Sequence, residues 1–185
     1  MTVSERSLLV LVEGRPGVGK TTVARRLAVL LRERGVPLAG FVTEELRGGG
    51  RRVGFAIETF DGAQGVLAHV RFPGPPRVGK YGVDLAAFER LALPALASPP
   101  EDGVVLIDEL GKMELASDAL RAGVSRLLEQ PVALVATVHV ARHPFTDALK
   151  HRPVAELLRV TVRNRRDLPE RLAARLGVHT PRGWP

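Results

Sequence analysis

A chain of 185 residues, 45% of them apolar, is long enough for one domain with a real core, and no run approaches the ~18 consecutive apolar residues of a membrane span. The absence of cysteine excludes disulfides, thiolate zinc sites and cysteine nucleophiles. A net charge of +7 admits nucleic acid as a partner, but the arginines are spread along the chain and only 4% of residues are aromatic, so no platform for stacking single strands is evident.

The N-terminal stretch MTVSERSLLVLVEG carries an acidic residue and runs directly into a phosphate-binding pattern. A cleaved leader would remove the first strand, so a cytoplasmic location is expected. Leu8–Val12 is an apolar run that reads as a buried strand, and Thr22–Arg34 has helical composition and spacing. Between them lies Gly14-Arg15-Pro16-Gly17-Val18-Gly19-Lys20-Thr21, which fits G-x-x-x-x-G-K-[ST] in its confirming context of strand, glycine loop and helix. Glycines let backbone N–H groups close around phosphate oxygens, and the helix start adds partial positive charge. Lys20 is expected to reach the β- and γ-phosphates and the Thr21 hydroxyl to bind Mg²⁺. The pattern implies binding of nucleoside triphosphates and leaves open what the energy is used for.

Gly35-Val36-Pro37 ends the first helix, a glycine–proline stop. Leu38–Thr43 reads as a strand, Gly48-Gly49-Gly50 as a turn, Arg52–Thr59 as an alternating strand and Val66–Val70 as another. This middle region is antiparallel in character. Pro73–Pro76 is a loop, and Val83–Ala97 reads as a helix distorted by Pro94. Val104–Ile107 is a buried parallel strand. The periodicity predicts a helix over Leu115–Gln130, a strand over Val132–Val138, a short helix near Asp147–Lys150, a strand near Leu157–Val162 and a last helix over Leu168–Leu176. The sum is one three-layer α/β domain over residues 1–177, with a mostly parallel sheet, an inserted antiparallel hairpin region and a tail over 178–185.

The strand Val104–Ile107 runs into Asp108 and Glu109 at its carboxyl end, where ligands sit in open α/β sheets. Asp108 is the expected Walker B aspartate, holding Mg²⁺. Glu109 is placed to orient or deprotonate a water attacking the γ-phosphate. Arg77 and Arg165 are candidates for positive charge at that phosphate; the alternative is an ordinary surface arginine. Thr137 and His139 end the following strand, as γ-phosphate sensors or strand-end caps. Asn164-Arg165-Arg166-Asp167 faintly echoes N-K-x-D, so Asn164 and Arg165 are candidates for base or ribose contact, with Asn164 as a cap of the last helix the alternative. Tyr81 suits a base-stacking or a packing role. Glu44 and Arg47 are expected to face the site.

Taken together, Gly14–Thr22, GFVTEELRGGGRRVGFAIET, RVGKYGVD over 77–84, Ile107-Asp108-Glu109-Leu110-Gly111-Lys112-Met113-Glu114-Leu115 and Asn164-Arg165 occur in this order. In this the chain resembles the thermophilic nucleoside-triphosphatase family over about residues 8–176. The resemblance implies a P-loop NTPase fold with an extra strand between the Walker A and Walker B strands. It also implies Mg²⁺-dependent release of phosphate from ATP, GTP, CTP and UTP with little base selectivity. It maps the phosphate loop onto Gly14, Gly17, Gly19, Lys20, Thr21 and Thr22, and the acidic pair onto Asp108 and Glu109. The leading reading is hydrolysis, with Lys20 and Glu109 catalytic. A nucleotide or nucleoside kinase using the same loop is the alternative, and a nucleotide-gated RNA-associated module a third. A monomer is expected, since no exposed apolar helix or heptad run demands a partner.

Overall fold

The structure is a computed structural model that describes residues 8–177; the tail read over 178–185 lies outside the described residues. Nine strands form one sheet in the order β5-β6-β4-β3-β2-β7-β8-β1-β9. Five of them, β1 (Leu8–Gly14), β2 (Leu38–Gly48), β7 (Val104–Leu110), β8 (Ala133–His139) and β9 (Ala155–Arg159), are joined by parallel pairing. β3 (Arg51–Thr59), β4 (Gln64–His69), β5 (Arg77–Val78) and β6 (Tyr81–Val83) continue the same sheet by antiparallel pairing. The inserted hairpin region is therefore an extension of the parallel half, hinged on β2, which pairs β7 with its first half and β3 along most of its length. β8 lies between β1 and β7, the extra strand that the resemblance implies between the Walker A and Walker B strands.

The alternation of β1 explains the layers. Leu9 and Leu11 point into one apolar cluster, with Phe88 of α2 (Leu85–Ala97) and Leu120 of α3 (Asp118–Leu127). Val10 and Val12 point into the other, with Leu27 of α1 (Lys20–Glu33) and Leu172 of α5 (Leu168–Gly177). A strand buried on both faces must be apolar at every position, and residues Leu9 to Val12 are all at most 1% exposed. Among the described residues, no helix is long and apolar enough to cross a membrane.

Local chemistry moves several boundaries from the positions periodicity predicts. The helix expected over Val83–Ala97 starts at Leu85, because Val83 closes β6 and the Asp84 carboxylate accepts from the Ala87 N–H at 2.9 Å as an N-cap. The helix expected over Leu115–Gln130 is two pieces, a 3₁₀ turn over Glu114–Ala116 and then α3. Ser117 divides them. Its Oγ accepts from the Leu120 N–H at 2.9 Å and donates to Glu89 Oε1 at 2.6 Å. The short helix α4 begins at Pro144, capped by His143, and the strand expected near Leu157–Val162 is shifted to Ala155–Arg159. The β5–β6 hairpin spans too few residues to show any periodicity.

Glu13, on β1 just before the glycine loop, anchors α4 and β9. Its carboxylate accepts from Lys150 Nζ at 2.7 Å and from Arg159 Nη2 at 3.1 Å. Burial pushes its pKa up, but the two cations outweigh burial and hold it below its ordinary value of 4.5. A group whose pKa is depressed on folding adds stability above its unfolded pKa, and that stability is lost as pH falls through the folded value. Lys150→Met is expected to cost about 2 kcal/mol in urea unfolding at neutral pH. The gap from the parent chain is expected to close as pH falls below the ordinary glutamate value of 4.5 and through the depressed folded one.

Candidate active site

The carboxyl ends of four neighbouring parallel segments meet on one edge of the sheet. Gly14 ends β1 opposite His139 of β8, and Asp108 of β7 lies opposite Val42 of β2. The phosphate loop leaves β1 there. Gly17 and Gly19 take φ values of 74° and 111°, the left-handed region in which a Cβ is strained. α1 opens at Lys20, so its first N–H groups have no partner within the helix and face the loop's concavity.

Lys20 is 7% exposed despite its charge. Its ammonium donates to Gly14 O at 3.1 Å and lies 3.2 Å from Glu109 Oε2. Asp108 is fully buried, with Oδ1 accepting from Thr137 Oγ1 at 2.5 Å. Burial lifts its pKa to about 6, opposed by the Thr137 and Thr21 hydroxyls; the Glu109 charge adds to the lift, and Lys20 opposes it. Thr137 thus backs the aspartate. The other carboxylate oxygen, Oδ2, is buried with no hydrogen-bond partner. An orphaned, buried carboxylate oxygen near a threonine hydroxyl suits a small hard cation, and one carboxylate is enough for a Mg²⁺ ion that takes its other ligands from phosphates and water. Among the described residues, no group of three or more acidic, histidine or cysteine side chains is gathered as a metal site.

Glu109 stands between two cavities. One, of about 1020 Å³, runs from Gly17, Lys20 and Thr22 to the β2–β3 hairpin. Glu44 and Arg47 line it as expected, and Arg52 lines it too. Arg52 was not apparent from sequence. It is held by Glu45 Oε1 at 2.6 Å and the Tyr81 hydroxyl at 3.0 Å, over the Phe55 ring. Tyr81 is buried in that packing. The second cavity, of about 370 Å³, runs past Phe55, Leu110, Met113 and Glu114 to His139. Thr43 lines both cavities and donates to Asp108 O at 3.0 Å; strand periodicity assigns it no role beyond its place at a strand end.

The two candidate arginines separate. Arg77 donates to Phe72 O and Lys80 O, closing its own hairpin, and lines neither cavity. Arg165 donates to Val18 O at 3.3 Å, and its Cδ packs over Gly19. Asn164 accepts from the Thr161 N–H and donates to Arg159 O, which folds the β9–α5 loop; it does not cap the helix with its side chain. A hollow of about 480 Å³ lies between this loop and the phosphate loop, walled by Arg15, Val18, Val140, Arg159 and Val160. Pro16 lies on the other side, in the large cleft.

A family model described as NTPase matches residues 9–173. The chain belongs to the NTPase family. That membership makes it a nucleoside-triphosphatase. Nucleoside-triphosphatase THEP1 of Thermotoga sp. (strain RQ2) is 40% identical over 160 residues, 86% of this chain and 90% of that protein. The cancer-related nucleoside-triphosphatase of Homo sapiens is 40% identical over 173 residues, 86% of this chain and 91% of its own. The crystal structure of THEP1 from Aquifex aeolicus superposes with a TM-score of 0.81 at 34% identity, covering 91% of this chain and 99% of that one. The solution structure of the human protein gives 0.80 at 38%, covering 91% and 97%.

Proposed function

We propose that this NTPase-family chain hydrolyses nucleoside 5′-triphosphates to diphosphate and phosphate with Mg²⁺, accepting ATP, GTP, CTP and UTP. The reading is carried by one juxtaposition: Lys20 within 3.2 Å of Glu109, at the mouth of the cleft that the phosphate loop lines. The loop amides and Lys20 bind and neutralise the β- and γ-phosphates, with Arg15, Pro16 and Thr22 flanking. Thr21 and Asp108 would hold the metal, which would supply positive charge against the phosphate oxygens. Glu109 orients a water in line with the γ-phosphorus and takes its proton. The new P–O bond forms as the bond to the β–γ bridging oxygen breaks, and the diphosphate leaves. Positioning and electrostatics supply most of the rate in such a site.

Low base selectivity is supported by the hollow beside Arg165. Its floor is valine, the Asn164 amide is used within its own loop, and the Arg159 guanidinium is paired with Glu13. Asn164 and Arg159 are thus already engaged, and a site built to hydrogen-bond one base would reject the others far more strongly than a largely apolar one does. Phosphate release from the four triphosphates is expected at kcat/KM values within about tenfold of each other. A spread of about 10⁴ would overturn the breadth, and release that waits on an added hydroxyl acceptor would replace hydrolysis by phosphoryl transfer.

A further inference from the structure

Glu114 is a buried carboxyl that hydrolysis as written above does not use. It opens the 3₁₀ turn after β7 and is 5% exposed. Its carboxyl faces the backbone N–H groups of Glu114 itself and of Gly111. A Cβ on Gly111 would sit 2.9 Å from Glu109 Oε1 and 2.9 Å from Glu114 Oε2. The two oxygens therefore flank one point and cannot be further apart than twice that distance. Glu109 directs its other oxygen, Oε2, to Lys20. The Glu109 carboxylate is thus bracketed, with the phosphate-loop lysine on one side and Glu114 on the other.

We propose that Glu114 is a positioning residue for hydrolysis: across Gly111 it braces the Glu109 turn and the Glu109 carboxylate toward Lys20 and the γ-phosphate. This rests on the reading of Glu109 as the residue that orients water. Glu114 touches neither phosphate loop nor large cleft; it acts through Glu109 and through the N–H of Gly111. Burial first, then the Glu109 charge, push its pKa up to about 8, so it is a neutral acid at pH 7 and adds no second negative charge beside Glu109. The charged and titratable groups that face it are Glu109 and Asp108 of β7. Lys112, His139, Arg142 and His143 line the shared cavity.

The test compares Glu114→Gln, which keeps the shape and neutrality of the acid, with Glu114→Leu, which removes every polar contact. ATP turnover, ATP affinity and the unfolding midpoint are measured on the full chain, with Glu109→Gln alongside. Glu114→Gln is expected to stay within about threefold of the parent kcat at pH 7 and to lose any fall in kcat between about pH 7 and pH 9. Glu114→Leu is expected to bind ATP as the parent does while kcat falls about 10²-fold, the cost of a misplaced group. Parent-like kcat in a folded Glu114→Leu overturns the proposal, as does a loss shared equally by affinity and turnover. Should Glu114→Leu not fold, Glu114→Gln decides: an unchanged pH profile, or a kcat loss of about 10²-fold at pH 7, overturns it. Glu109→Gln with parent turnover would instead overturn the reading of Glu109, which separates the two failures.

Discussion

Lys20→Ala is expected to lower turnover of every nucleoside triphosphate by at least about 10³-fold, the scale on which removing a preorganised charge acts. The lysine is 7% exposed, its ammonium fixed between Gly14 O and Glu109 Oε2. A cation held in place before substrate arrives needs no reorganisation when phosphate charge develops, and partial burial strengthens its field. Alanine is the best helix former, so α1 is expected to keep its start and the unfolding midpoint to hold. Glu109 also loses its counter-charge in this variant, so nucleotide affinity is expected to fall along with turnover. Phosphate release and fluorescence titration with a labelled nucleotide measure the two losses. Turnover within about tenfold of the parent would remove Lys20 from the catalytic role.

Glu109→Gln separates binding from chemistry. Glutamine matches the shape of glutamate but neither accepts the proton nor carries the charge that faces Lys20 at 3.2 Å. Turnover is expected to fall by about 10²-fold or more, the usual contribution of a general base. Nucleotide affinity is expected to hold or rise, because an anion near the γ-phosphate is removed and Lys20 is released to bind it. Stopped-flow phosphate release beside equilibrium binding reads both. Unchanged turnover would take Glu109 out of the mechanism and leave the γ-phosphate without a nearby base on the β7 side of the cleft.

The β2–β3 hairpin carries a different kind of constraint. Arg47 and Arg52 both pair with Glu45, and their hydrogen bonds, led by that from Arg52, hold the Glu45 carboxyl below its ordinary range. Such exposed pairs add little stability. Their consequence is orientation, since they keep two arginines on the wall of the cleft that Lys20 and Glu109 share.

The phosphate loop was legible because its chemistry is local. Eight consecutive residues supply the glycines, the lysine and the hydroxyl, and the strand and helix on either side announce themselves by apolar run and periodicity. Asp108 and Glu109 were legible for a related reason: four apolar residues that end in two acids mark the carboxyl end of a buried strand. The helix of 115–130 misled because periodicity registers apolar spacing and is blind to a side chain that caps in mid-run. Ser117 does so, and the turn before it is what buries Glu114.

The α/β class, the order of the longer strands and helices and the match to a phosphate-binding pattern were readable along the chain, since each depends on residues near one another in sequence. Only the tertiary structure decided which distant groups act on that chemistry. It put Thr137 on Asp108 across 29 positions and Arg165 on Val18 across 147. It turned Arg77 to its own hairpin and set Glu114 beside Glu109 around Gly111. Burial, proton affinity and mutual orientation are properties of packing between elements, and spacing along a chain carries no measure of them.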